Sequence, residues 1–442
     1  MGLSAVTPAR IEHLVILMME NRSFDHYLGS LSLPAEGRDD IEGLRLPLPT
    51  LPDLQGNPVC AWPMDGTPPE ADDPPHGWDA AHAAHNGGRN DGFVQQFERV
   101  HPTADLRLPL GYYTRATLPV FYALADEFTV CDHWFSSLLS STWPNRKYLH
   151  SGRRDEDDDT QTLPAPPGFL TRPMYDAIED ARDAQGNRLT WKSYFTDLPF
   201  LAFWYGFAAT HVDHFRPIVE FVKDCQQDRL PTISVIDPPF TIADDHPPHD
   251  PRVGQKFVGL IVDALTHSDS WEKTALVILY DENGGFYDHV APPPCFEEPA
   301  MDDPTLGFRV PAIVVSAYAK RRYACKTVFD HTSVLKSIHT RWNVDFGPEF
   351  GTRWRNAPDI WEACFDFTAP PRKMGAYTGE PLRELTWGSG IHRRFTRFSE
   401  GFESMLERIF VLPELKALDR RAGVFDALTA VEQGVITRKR MF

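Results

Sequence analysis

The sequence predicts an α/β fold: a central, mostly parallel sheet sandwiched by helices, with long Pro-rich loops and a helical C-terminal tail. Three observations predict it. Five short, β-branched apolar runs end abruptly in polar or small residues. Near-continuous apolar runs suit strands buried on both faces, as in a parallel sheet covered by helices. Helical periodicity lies between runs, and proline reaches 39 of 442 residues, above the usual share of about 5%. Such a chain carries ordered, non-helical loops on a rigid sheet.

In chain order, the first run is HLVILMMEN (13–21), a strand ending at Glu20 and Asn21. FTVCDHW (128–134) and TISVIDPPF (232–240) repeat the pattern. VGQKFVGLIVDALTHS (253–268) has helical spacing and directly precedes TALVILYDENGG (274–285), a helix–strand alternation. PAIVVSAYA (311–319) is the fifth run. Segments 31–75, 153–173 and 345–390 read as irregular, and RRDEDDD (153–159) as a solvated loop or a cation-binding one. FSEGFESMLERIF and GVFDALTAVEQGV, between about Arg393 and Val435, read as two amphipathic helices. Residues 1–345 are expected to form a catalytic core, and 346–442 a loop and helical extension packed on it.

The formal charge of −18 repels nucleic acid, so neither DNA nor RNA is an expected partner. Six cysteines lack CxxC spacing, which leaves zinc-finger and redox motifs unsupported. Cys131 reads as a small core residue. The run Leu14–Met19 is too short for a signal sequence or a membrane span. The expectation is a soluble, cytoplasmic rather than secreted chain, with at most peripheral membrane contact.

Parallel sheets bind ligands beyond the carboxyl ends of their strands. Glu20 and Asn21 follow the first run, and Asp281 and Glu282 the fourth, so all four should meet at one sheet edge. A carboxylate beside a carboxamide offers two oxygen ligands to a divalent cation, while Asn21 or Ser23 equally fits a helix N-cap. Asp281 and Glu282 fit either a cation site or a plain strand end. In HGWDAAHAAHNGGRNDGF (76–93), His82 and His85 sit three apart, suited to a phosphate, a leaving group or a structural role. Thr142 precedes Trp143-Pro144 at a turn or helix start, where free amides can receive phosphoryl oxygens. Arg146 follows as a charge for the same group, and the bland alternative is a capped helix. His246 and His249 lie in the Pro-rich loop DDHPPHDPR (244–252), available as ligand or proton donor.

The motifs ENRSFDHYLG, NGGRNDGF, LADEFTVCDHWFSSLLSSTWPNR, DDHPPHD, YDENGGFYDHV, LGFRVPAIVVSAYA and FDHTSVL run in order from Ile11 to Trp342. Together they resemble the phosphoesterase family of bacterial phospholipases C, acid phosphatase A-type enzymes and plant non-specific phospholipases C. That resemblance implies an alkaline-phosphatase-like α/β fold. It implies Glu20, Asn21, Asp281 and Glu282 as metal ligands, with Thr142 as nucleophile and a further metal contact. It also implies His85 and His246 as catalytic histidines, with His249 and His331 as substrate contacts; Arg146 and His82 join them as substrate contacts on their own positions. The motif DENGGFYDH lies between the bacterial form DENDGFFDH and the plant form DEHGGFYDH, so Asn283 does not pick a subgroup.

Coordination to a cation would favour the alkoxide of Thr142, whose attack on phosphorus gives a phosphothreonine that water then hydrolyses. An all-oxygen ligand set favours one Ca²⁺ or Mg²⁺, and a histidine in the shell would admit Zn²⁺. The expected substrate is a phospholipid, with aromatic stretches such as WKSYFTDLPFLAFWY (191–205) as a lipid groove or as core. The alternatives are a broad acid phosphatase acting on monoesters and a non-catalytic phosphate- or lipid-binding protein.

Overall fold

The computed structural model describes residues 8–67, 72–155, 168–295 and 305–373. Eight strands form the main sheet: β1 His13–Met19, β2 Thr129–Cys131, β3 Trp191–Phe195, β4 Phe215–Pro217, β5 Ile233–Ile236, β6 Thr274–Tyr280, β7 Ala312–Ser316 and β8 Tyr323–Cys325. Their spatial order is β8-β2-β7-β6-β1-β5-β3-β4. All five expected runs are strands, and β1 and β6 sit side by side at the centre.

Strand direction follows from the connections. The helix Pro251–Thr266 carries the chain from β5 to β6, and both pair parallel with β1. A crossover helix of this kind is what a parallel return requires. Between β6 and β7 the described residues contain no helix, and β7 pairs antiparallel with β6. β2 reverses again against β7, so β7 alone runs against the other strands of the sheet.

The centre is apolar on both faces. Every residue of β6 and all of Leu14–Met19 are buried. Three strands of this sheet escaped the sequence reading, β3, β4 and β8, as did the short strands Thr50–Pro52, Pro58–Cys60, Trp62–Pro63 and Gly111–Tyr112 outside it. β4 and β8 have three residues each, too few to show a period, and Pro217 sits in β4, where an edge strand tolerates it. β3 opens the aromatic stretch 191–205, and the lipid-groove expectation for that stretch is corrected here. Trp191, Tyr194, Phe195, Phe200, Phe203, Trp204 and Tyr205 are core residues. Beyond 345, Trp361 Nε1 donates to the Ser337 carbonyl and Arg372 donates to the carbonyls of Ser316 and Ala319. The two expected tail helices, and most of RRDEDDD, lie outside the described residues.

One buried charge network ties the loop after β1 to the loop after β6. Arg309 donates to Asp288 at 2.8 Å, to Asp25 at 3.1 Å, and to the carbonyls of Glu42 and Asp132. His289 Nδ1 lies 2.6 Å from Asp25, and its Nε2 lies 3.3 Å from Glu42. Burial opposes charge on His289, but Asp25 and Asp288 outweigh burial and Arg309, raising its pKa to about 9. A proton bound more tightly in the folded state stabilises it below the unfolded pKa of about 6.5. Stability should therefore fall from about pH 6.5 to about pH 9, at no more than about 1.4 kcal/mol per pH unit. Urea unfolding across that window checks this, and His289→Gln should flatten the slope.

Candidate active site

Parallel register delivers the acids. Met19 pairs with Tyr280, so the residues that follow on each strand emerge side by side. Glu20 and Asn21 leave β1, Asp281 and Glu282 leave β6, and Asp237 leaves β5 at the same edge. Asn21 turns the chain at φ 60°, a left-handed conformation that asparagine tolerates better than most residues. Its amide N–H donates to Asp281 Oδ1 at 3.0 Å, as does that of Glu282 at 2.9 Å. The N-cap alternative belongs to Ser23, which accepts from the His26 amide and caps the short helix Phe24–Tyr27.

Thr142 opens the helix Thr142–Ser151, and its N-cap Ser141 makes no side-chain capping bond. The first-turn amides thus lack the usual side-chain acceptor, which is the arrangement that attracts anions. Thr142 Oγ1 lies 3.0 Å from Glu282 Oε1 and 3.3 Å from Asn21 Oδ1. The other carboxylate oxygen, Glu282 Oε2, is buried with no hydrogen-bond partner. Burial, reinforced by Asp281, holds Glu282 well above the usual carboxylate range, and burial does the same to Glu20. Asp237 is pushed up to about 6 by burial.

Arg146, expected at the substrate phosphate, turns inward instead. It is fully buried and contacts Asp281 at 2.9 Å, Glu20 at 3.1 Å and Asp237 at 3.5 Å. It also reaches the last carbonyls of β1, at Met18 and Met19. Its guanidinium balances the acids and leaves no face toward solvent, so the substrate-contact expectation is corrected on that ground. His331 also serves the frame. Its Nε2 lies 2.7 Å from the Asp281 carbonyl, and Trp134 Nε1 donates to its Nδ1 at 3.4 Å. Both ring nitrogens are thereby used inside the protein.

The remaining histidines divide. His246 Nδ1 lies 2.6 Å from the Pro247 carbonyl, and burial pulls its pKa down. His249 Nδ1 lies 2.5 Å from Asp244. His82 and His85 ride on the helix Trp78–His85, where His82 meets the Trp78 carbonyl at 2.8 Å and the His85 ring faces Phe308 at 6.3 Å. The histidine that reaches the acids is His76, passed over in favour of those two. Its Nε2 lies 3.1 Å from Asn21 Nδ2 and 3.8 Å from Glu282, while its Nδ1 faces the Pro74 carbonyl at 2.7 Å. With Nδ1 donating to that carbonyl, Nε2 is left to accept from Asn21. A cavity of about 470 Å³ opens over His76, lined by residues including Asp73, Pro75 and Trp78. That is large enough for a small ligand or a headgroup.

A buried hydroxyl at a helix start, facing strand-end carboxylates, belongs to the chemistry of phosphoester transfer. The chain is a member of the phosphoesterase family, whose family model matches residues 11–345. It is a phosphoric ester hydrolase. Phospholipase C B of Mycobacterium tuberculosis (strain ATCC 25618 / H37Rv) is 33% identical over 434 residues, spanning 82% of this chain and 78% of that protein. Non-specific phospholipase C3 of Arabidopsis thaliana is 32% identical over 386 residues, spanning 78% and 71% respectively. A solved Vibrio parahaemolyticus protein of the alkaline phosphatase superfamily covers 81% of this chain and 75% of its own at 11% identity, with a TM-score of 0.40. A likeness of that size carries no argument, and the α/β fold stands on the strands themselves. Among the described residues, no helix is long and apolar enough to cross a membrane.

The close approach of the two strand-end loops demands glycine at 284. Gly284 has φ +57°, and a Cβ there would lie 2.2 Å from the Asn21 carbonyl oxygen. Gly284→Ala should therefore lose more than the roughly 1–2 kcal/mol of the left-handed penalty alone. It should also displace Asn21 and lower kcat. Urea unfolding and steady-state kinetics on the same sample check both effects.

Proposed function

We propose that this phosphoesterase acts as a phospholipase C, cleaving the glycerol–phosphate bond of glycerophospholipids through a phosphothreonine at Thr142. The observation that carries the reading is the Thr142 hydroxyl, held against Glu282 and Asn21 where helix amides and acids converge. The relatives with the names phospholipase C B and non-specific phospholipase C3 support the lipid assignment.

The residues fit one divalent cation. Glu20, Asp237, Asp281 and Glu282 stand against the single guanidinium of Arg146 among these contacts, and Glu282 Oε2 lacks a partner. Buried acids in such excess call for a compensating positive charge. Glu20, Asn21, Thr142, Asp281 and Glu282 would hold it. Their oxygen donors suit Ca²⁺ or Mg²⁺, and the nearness of His76 keeps Zn²⁺ open. When bound, such an ion favours the alkoxide of Thr142 and offsets charge on the phosphoryl oxygens.

The chain's own residues supply the rest. Thr142 Oγ1 gives up its proton to Glu282 Oε1 and attacks phosphorus, while the first-turn amides of its helix receive a phosphoryl oxygen. The diacylglycerol oxygen must leave with a proton, and His76, which lines the cavity, supplies it from Nε2 when both of its ring nitrogens are protonated. Burial holds His246 neutral, so it suits the second half-reaction, taking a proton from the water that cleaves the phosphothreonine. Phosphate monoester hydrolysis is the second reading, favoured by the burial of the aromatic stretch 191–205, which removes one candidate lipid groove.

Assay of phosphatidylcholine against a soluble phosphate monoester, on wild type and Thr142→Ala, tests both points. Diacylglycerol release should dominate, and Thr142→Ala should lower kcat by roughly three orders of magnitude or more. Turnover of the monoester alone would sink the lipase reading. Unchanged turnover in Thr142→Ala would remove the nucleophile.

A further inference from the structure

Away from the acids, three cysteine sulfurs converge. Cys131 ends β2 and Cys325 ends β8, two parallel strands in which these residues are direct register partners. Cys364 closes the helix Ile360–Cys364. All three are buried and none forms a disulfide. Their Sγ atoms lie within 4.8 Å of one another, and Cys131 Sγ is 3.7 Å from Cys364 Sγ.

We propose that Cys131, Cys325 and Cys364 form a site for a thiophilic d10 cation, Zn²⁺ or Cu⁺. Metal–sulfur bonds of about 2.3 Å at tetrahedral angles separate two sulfurs by about 3.8 Å, close to the spacing found here. A disulfide would need that pair to close to roughly 2.0 Å. Thiolates select soft ions such as Zn²⁺ and Cu⁺ over Ca²⁺ and Mg²⁺, so this site does not compete for the ion suited to the carboxylates. Binding of the ion releases thiol protons. Access is short, because β8 is the edge strand of the sheet and Tyr323 on it is partly exposed.

The placement gives the site a structural task. Cys131 and Cys325 lie inside the family-matched region 11–345, whereas Cys364 lies beyond it. An ion shared by the three would pin the later segment to the sheet edge. From Cys131, three residues lead to Trp134, which donates to His331 and so reaches Asp281.

The test uses reduced, metal-stripped full-length protein titrated anaerobically with Co²⁺ in excess Mg²⁺, followed by competition with Zn²⁺ or Cu⁺. One equivalent should produce a sulfur-to-cobalt charge-transfer band in wild type and in Cys225→Ser, and Cys325→Ser should lose it while retaining phosphoesterase activity. Whichever of Zn²⁺ and Cu⁺ abolishes the band at the lower free concentration is the preferred ion. Absence of the band in wild type, its survival in Cys325→Ser, or a Cys131–Cys364 disulfide in the unreduced protein overturns the site. If Cys325→Ser does not fold, alkylation of wild type decides. Zn²⁺ should slow modification of these three cysteines at least about tenfold, and equal rates with and without it contradict the proposal.

Discussion

Arg146 is the interaction on which the site depends. Three strands release acids at one edge of the sheet, and taking several carboxylates out of water together is costly unless positive charge goes with them. Arg146 goes with them, fully buried and in contact with Glu20, Asp237 and Asp281. Its position on the helix Thr142–Ser151 is what makes this consequential. The residue that neutralises the strand ends sits one turn after Thr142, so pairing the charges also docks the helix start against Glu282. Packing, charge balance and placement of the hydroxyl are one event in this fold.

What Arg146 does not reach defines the chemistry. Glu282 holds Thr142 with one oxygen and leaves the other unpartnered. The loops carrying these groups are kept close by the left-handed turn at Asn21, by Gly284, and by the Asp25–Arg309–Asp288 network behind them. Each of these features is unfavourable or replaceable alone. Together they fix a geometry that a more relaxed backbone would lose.

Much of this was legible in the sequence, and the reasons for the remainder are physical. Uninterrupted apolar runs such as Leu14–Met19 and Thr274–Tyr280 announced buried strands, and strand-end logic placed Glu20, Asn21, Asp281 and Glu282 together. The same logic applied to TISVIDPPF points to Asp237, which went unremarked because a lone acid before two prolines looks like a turn. Thr142 stood on family resemblance, since a threonine before Trp-Pro has no signature of its own. His76 was overlooked because helical spacing drew attention to His82 and His85. A histidine fixed between Pro75 and Gly77 in a loop was the better signal. The direction of Arg146 was hidden for another reason: one residue can face a substrate or its own core, and only tertiary contacts decide. The aromatic stretch 191–205 posed the same ambiguity between groove and core, and burial resolved it.

The most direct measurement is an acid quench during turnover of a ³²P-labelled phosphate ester, followed by peptide mapping. A covalent intermediate should appear as phosphothreonine at position 142, absent from chelated protein and restored by a divalent cation. Label at another residue, no label under conditions of rapid turnover, or equal labelling after exhaustive chelation would contradict a cation-assisted threonine nucleophile at these strand ends.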